Sequence, residues 1–223
     1  MGFLTSTTLY NLLRGPLVWV SMLVFLFGSV HRVRTLMLMA KNDKVVLPFI
    51  SLKATVRSVA HWVIPFAARN WRRRPVLTIM AFIFHTGLVF TPLFLLSHNL
   101  LWRESWGLTW WTLPEAVADL MTLGVIVAGA FFLLRRLHAP EVRFVTDPSD
   151  YAILLLSVLP FVLGFLAYHQ WLLPHQAMLN LHILAGEAML VAIPFTRLGH
   201  MFTFFMTRAW IGSNFALWHS RDW

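Results

Sequence analysis

Four histidines stand at positions where a side chain could do redox chemistry: His85, His98, His182 and His200. His85 and His98 lie in the stretch between Arg74 and Arg103, which holds no charged residue, His182 lies in another such gap between Asp150 and Glu187, and His200 lies near the end of the last apolar run. Polar side chains in apolar helices are costly and usually face a cofactor, a cavity or a partner. His182 and His200 are 18 residues apart, which on one continuous helix is about five turns and about 27 Å. The two imidazoles then point the same way at opposite edges of a bilayer. On an antiparallel neighbour, His85 falls at the depth of His200, and His98 at the depth of His182. Two imidazoles at each of two depths are what two stacked haems b require, one axial nitrogen from each helix.

The spacing of His85 and His98 fits less simply. Thirteen residues separate them, which turns the second imidazole about 220° from the first on an ideal helix. Pro92 lies between, and the backbone adjustment that a proline forces is expected to restore the orientation; otherwise His169 or His175 takes the place of His98. Glu187, the one acid deep in an apolar helix, is read either as a proton relay to a quinone or as a protonated acid bonded to a neighbouring helix. Arg197 is read as a partner for a haem propionate or as a basic anchor at the membrane edge. His31, His61, His138 and His219 are read as ordinary solvated side chains, and no residue is assigned a catalytic role.

The elements that position these residues follow from composition. The chain of 223 residues is 58% hydrophobic and 12% charged, against about 25% charged in a soluble domain. A bilayer-crossing helix needs about 20 apolar residues, and five such runs are expected, at about 16–35, 76–100, 115–134, 151–170 and 179–205. The fold class is therefore an all-α integral membrane bundle of five helices, taken as one domain over 1–223. The first apolar run is read as a retained span rather than a cleaved leader.

Eighteen basic residues against nine acidic ones give a net charge of +9. In a soluble protein this would suggest nucleic acid, but here membrane lipid is the expected partner. Ten of the basic residues lie between Arg32 and Arg74, three between Arg135 and Arg143, and three from Arg197 onward. Basic residues gather on the cytoplasmic side, so the N-terminus is expected outside and the C-terminus in the cytoplasm. The segment of about 44–71 mixes apolar residues with Lys53, Arg57, His61 and Arg69, the pattern of an amphipathic element lying in the interface. Trp102, Trp106, Trp110 and Trp111 are placed at the outer interface. Asp147-Pro148-Ser149-Asp150 reads as a helix start. With no cysteine, the chain cannot hold an iron–sulfur cluster by thiolates.

Three segments carry a resemblance to a known family. Leu181-His182-Ile183-Leu184-Ala185-Gly186 followed by Ile193-Pro194-Phe195-Thr196-Arg197-Leu198-Gly199-His200 resembles the fifth helix of the gamma subunit of respiratory nitrate reductase, a five-helix dihaem cytochrome b. Leu133 to Arg143 resembles the connection between helices 3 and 4 of that family, and Phe84-His85-Thr86-Gly87-Leu88 resembles its first helix-2 ligand motif. The likeness covers helices 2 to 5 and, more weakly, Phe25 to Arg32.

The resemblance implies His85 with His200 on a cytoplasmic-side haem b, and His98 with His182 on an outer haem b. His98 departs from the family pattern, in which the second helix-2 histidine comes slightly earlier. This departure, the short connection before helix 5 and the insertion-like segment of about 44–71 place the chain nearer to the membrane cytochromes b of sulfate-reducer redox complexes. The function implied is electron transfer across the inner (cytoplasmic) membrane, between an extracytoplasmic or quinone-level partner and a cytoplasmic iron–sulfur subunit. A multihaem cytochrome c outside and a bound menaquinone, with quinone oxidoreductase activity, remain open within that implication. Two rivals stand beside it: a haem-free scaffold or transporter subunit whose histidines bond helix to helix, and a monohaem cytochrome.

Overall fold

The computed structural model describes residues 2–220; Met1 and residues 221–223, Arg221 among them, lie outside the described residues. Eleven α-helices, joined by short 3₁₀ and π turns, make up the described chain, and no strand occurs among these residues. Five helical stretches are long and apolar enough to cross a bilayer: Thr7–Ala40, Pro75–Phe94, Glu115–His138, Pro148–Tyr168 and His175–Phe195. The shortest of them, at 20 residues, spans about 30 Å.

The first stretch is α1 (Thr7–Leu12) and α2 (Val18–Ala40), joined by a π turn over Leu13–Leu17. Pro16 lies inside that turn; a proline has no N–H to give to the carbonyl four residues back, and a π turn is one way a helix absorbs the defect. The apolar run thus extends well beyond the expected 16–35. Then come α3 (Leu52–Val63), α4 (Arg69–Arg73), α5 (Pro75–Phe94), α6 (Leu96–Trp106), α7 (Glu115–His138), α8 (Pro140–Arg143), α9 (Pro148–Tyr168), α10 (His175–Ala192) and α11 (His200–Leu217). The Asp147 signal does start α9: Pro148 occupies the first turn, and the Asp150 carboxylate accepts from the Asp147 N–H at 3.0 Å.

By backbone contacts the chain divides into two compact units, Met1–Arg14 with Ile79–Gly186, and Gly15–Thr78 with Glu187–Trp223. In the first, Phe84, Val125, Ala128 and Phe161 form the core, with Met80, Leu88, Ile126, Phe132, Leu154 and Val158 packed against it. Glycines set the closeness of that packing. A Cβ on Gly129 of α7 would lie 2.5 Å from the Val158 side chain of α9, and one on Gly87 of α5 would lie 2.4 Å from Val125. Helices in lipid gain little from burying apolar surface and associate through such close backbone approach.

In the second unit the basic segment of about 44–71 yields α3, which packs against α11. The Ser51 N–H donates to Ser213 Oγ at 3.1 Å, and the Gly212 backbone sits where a Cβ would meet Ser58 at 2.7 Å. Trp210 Nε1–H donates to the Asp43 carboxylate.

The fifth apolar stretch ends sooner than expected. The α-helix stops at Ala192, gives way to 3₁₀ turns at Ile193–Phe195 and Arg197–Gly199 with Thr196 extended between them, and α11 begins at His200. Pro194 cannot supply the next helical N–H, and the carbonyls freed by the break are held by Arg32. Its guanidinium donates to Pro194 O at 2.8 Å and Thr196 O at 2.7 Å. His182 and His200 therefore lie on different helices, and the five-turn register expected for one continuous helix over 179–205 does not apply.

Candidate functional site

The first unit brings two of the four histidines together. His98 and His182 have ring centroids 5.9 Å apart and ring planes inclined by only 20°.

His98 reaches this position because α5 does not run on to residue 100. The helix ends at Phe94, Leu95 is extended (φ −71°, ψ 132°), and α6 starts afresh at Leu96. The 220° figure for a continuous helix therefore does not apply to His85 and His98. It also exposes the last carbonyls of α5, which an apolar environment does not leave unpaired. Each finds a donor: Thr91 O takes Leu95 N at 2.9 Å, Pro92 O takes His98 Nδ1 at 2.9 Å, Leu93 O takes Trp110 Nε1 at 2.8 Å, and Phe94 O takes Leu113 N at 2.8 Å. Buried Asn99 fixes the return of the loop, donating to Trp110 O at 3.0 Å and accepting from the Thr109 hydroxyl at 2.7 Å.

His182 is held from the neighbouring α9. Its Nδ1 contacts Pro160 O at 2.8 Å, and its ring lies over Gly164, where a Cβ would come within 2.9 Å of Cε1 and Nδ1. Pro160 and Gly164 are one turn apart and share a helix face. The missing side chain at 164 opens the groove into which the imidazole fits.

A carbonyl oxygen can only accept, so Nδ1 carries the proton in both rings and Nε2 carries the lone pair. Metal-ligating histidines are commonly fixed in this way, the other ring nitrogen donating to a backbone carbonyl. Nδ1 of each ring is thus taken by a backbone carbonyl, and the two Nε2 atoms are the nitrogens that could hold a metal. No group of three or more His, Cys, Asp or Glu able to hold a metal ion occurs among the described residues.

His85 lies on α5 in the first unit and His200 at the start of α11 in the second. Both are exposed. His85 Nδ1 contacts Ala81 O at 2.7 Å and His200 Nδ1 contacts Arg197 O at 2.8 Å. The four-residue back-contact of His85 is a helical commonplace here, shared by His61 with Arg57 O and His138 with Leu134 O. His98 and His182 are different in taking carbonyls beyond their own helical turn.

The alternative outer histidines are engaged elsewhere. His169 Nε2 contacts the Asp119 carboxylate at 3.0 Å among Phe165, Tyr168 and Trp171, and His175 Nδ1 contacts Ala167 O at 3.0 Å. Glu187 is buried, and among the described residues neither carboxyl oxygen has a hydrogen-bond partner. Arg197 is exposed, as are His31, His138 and His219; His61 is half-buried. The indoles of Trp102, Trp106 and Trp110 do cluster, with Trp102 centroids 4.3 and 5.7 Å from the other two.

Sequence reasoning passed over three contributors. Leu95, Gly164 and Arg32 carry no chemistry of their own, yet they set the break, the groove and the brace described above. Only the Pro92 signal pointed near one of them.

No family model matches the chain. It is 38% identical over 220 residues to a protein of Nitratidesulfovibrio vulgaris (strain Hildenborough), an alignment covering 94% of each chain. The chain therefore belongs to the family of that protein.

Proposed function

We propose that the chain is the membrane-embedded dihaem cytochrome b subunit of a respiratory redox complex. In this reading it passes electrons across the inner membrane between an extracytoplasmic or quinone-level partner and a cytoplasmic iron–sulfur subunit. The observation that carries the proposal is the pair His98 and His182, with both Nδ1 protons committed to carbonyls and both Nε2 lone pairs left for a metal. His98 and His182 would hold the outer haem b, and the resemblance alone assigns His85 and His200 to the cytoplasmic-side one. The likeness to the nitrate reductase gamma subunit and to the sulfate-reducer cytochromes b supports the same assignment.

Haem b, when bound, supplies reversible one-electron chemistry whose potential is set by its ligands and their surroundings. The chain's own groups do the rest. Pro92 O and Pro160 O fix the tautomer and raise the basicity of the two imidazoles. The helix break at Leu95 and the groove at Gly164 orient them. Glu187 is the carboxyl assigned to proton exchange with a menaquinone. The basic connections are assigned to the cytoplasmic face, with the N-terminus outside, the C-terminus inside and an iron–sulfur partner beneath.

The test is a pyridine haemochrome assay with optical redox titration on the purified full chain, normalised to protein. Two haems b per chain with two separable potentials are expected. One haem would remove one depth of the assignment, and none from haem-replete cells would sink the proposal in favour of a haem-free scaffold.

A further inference from the structure

A cleft in the second unit answers to none of this chemistry. It has a volume of about 200 Å³ and is lined by Trp62 of α3, Asn70 and Trp71 of α4, and Arg74, Leu77 and Thr78 at the head of the second apolar stretch. We propose that this cleft binds the phosphate of one anionic phospholipid, with the acyl chains leaving along the first turns of α5.

Three donors lining the cleft have no acceptor among the described residues. The Trp62 Nε1–H is fully buried and has no acceptor among the described residues. Such a buried N–H is costly unless something accepts from it. Neither the Asn70 amide nor the Arg74 guanidinium has a hydrogen bond or ion pair among the described residues. Two neighbouring polar side chains are already engaged. The Thr78 hydroxyl donates to backbone at Trp71 O (2.9 Å) and Arg74 O (3.0 Å), and Arg72 donates to Phe66 O and Ala67 O at 2.9 and 2.6 Å. Arg208 lies over the Trp62 ring, 4.6 Å from its centroid.

Charge selects an anion. Between Lys44 and Thr78 there are seven basic residues and no acid, so nothing from this segment competes for the donors. Position selects a lipid. Arg74 immediately precedes the apolar stretch Pro75–Phe94, so its guanidinium sits at the level where lipid phosphates meet hydrocarbon. The Trp62 and Trp71 rings, 5.4 Å apart and edge to face, with Leu77, give the cleft an apolar wall. A free inorganic anion would gain nothing from that wall, whereas a lipid glycerol would.

The test uses the purified full chain in nanodiscs of phosphatidylcholine doped with phosphatidylglycerol, with retained lipid counted by native mass spectrometry. One phosphatidylglycerol per chain is expected to survive in preference to phosphatidylcholine. Arg74→Gln is expected to weaken retention about tenfold, the scale of one charge-assisted hydrogen bond. Trp62→Phe, which keeps the ring and loses only the N–H, is expected to weaken it several-fold. Arg73→Gln removes the same charge from the neighbouring residue outside the cleft and is expected to change little. Circular dichroism checks the folding of each variant. Equal loss in Arg73→Gln and Arg74→Gln, no preference over phosphatidylcholine, or displacement by inorganic phosphate at matched concentration would each overturn the proposal.

Discussion

A methyl group on Gly164 would lie 2.9 Å from the Cε1 and Nδ1 atoms of His182, closer than side-chain carbons approach one another. The space that holds the imidazole is therefore made by the absence of a side chain on α9. Gly164→Ala is expected to push His182 off the Pro160 carbonyl and away from His98. Purified Gly164→Ala should carry about one haem b rather than two, or show the low-spin signature of one centre altered. Gly186 is the control, since nothing lies within 4 Å of a Cβ there. Gly186→Ala should keep both haems and gain up to about 1 kcal/mol of helix stability.

Under the dihaem proposal, replacing either member of the His98–His182 pair tells the two centres apart. His98→Ala and His182→Ala should each halve the pyridine haemochrome yield and remove the same one of two potentials. His169→Ala and His175→Ala, whose rings contact Asp119 and Ala167 O instead, should leave both potentials in place. Loss of a potential in His169→Ala with none in His98→Ala would refute the pairing.

Arg32 braces the turn between α10 and α11 through two carbonyls. Hydrogen bonds from a charged donor are worth about 1.5–3 kcal/mol each, and Gln cannot serve both acceptors with charge. Arg32→Gln should lower the thermal midpoint of the solubilised protein by several degrees, with Arg32→Lys between it and wild type. An unchanged midpoint in both variants would show that the turn stands without the brace.

Acid should loosen the loop before α3. Hydrogen bonds from Trp210 Nε1 and from the Val46 and Val45 N–H groups hold the Asp43 carboxyl below the ordinary aspartate range. A depressed value means that the contact is complete above the unfolded aspartate value of about 3.9 and is lost as pH falls through the lower folded value. The difference in fluorescence between wild type and Trp210→Phe should be flat from about pH 5 to 8 and change only below about pH 4. In Asp43→Asn that acid change should disappear. A midpoint at neutral pH would contradict the origin given.

The sequence made the apolar stretches and the four histidines legible because charge is excluded from hydrocarbon so strongly that its absence over 20 residues is itself a signal. The ends of those stretches were less legible. Pro92 announced a disturbance near His98, but the break came at Leu95, where the return of Trp110 and Leu113 supplies donors from 15 or more residues away. The end of α10 was hidden for a similar reason, since its brace is Arg32, more than 160 positions distant. Gly164 was invisible because a glycine in an apolar helix declares nothing until the ring that needs its space is known.

The four carbonyls at the end of α5 are satisfied by four donors drawn from the stretch between Leu95 and Leu113. None of those carbonyls can be released cheaply where water is scarce, so this stretch behaves as a latch whose teeth engage together. Its amides should exchange with solvent as one cooperative group rather than fray residue by residue. A change of loop length around Trp106 would then be felt at the His98 imidazole, which is itself one of the teeth.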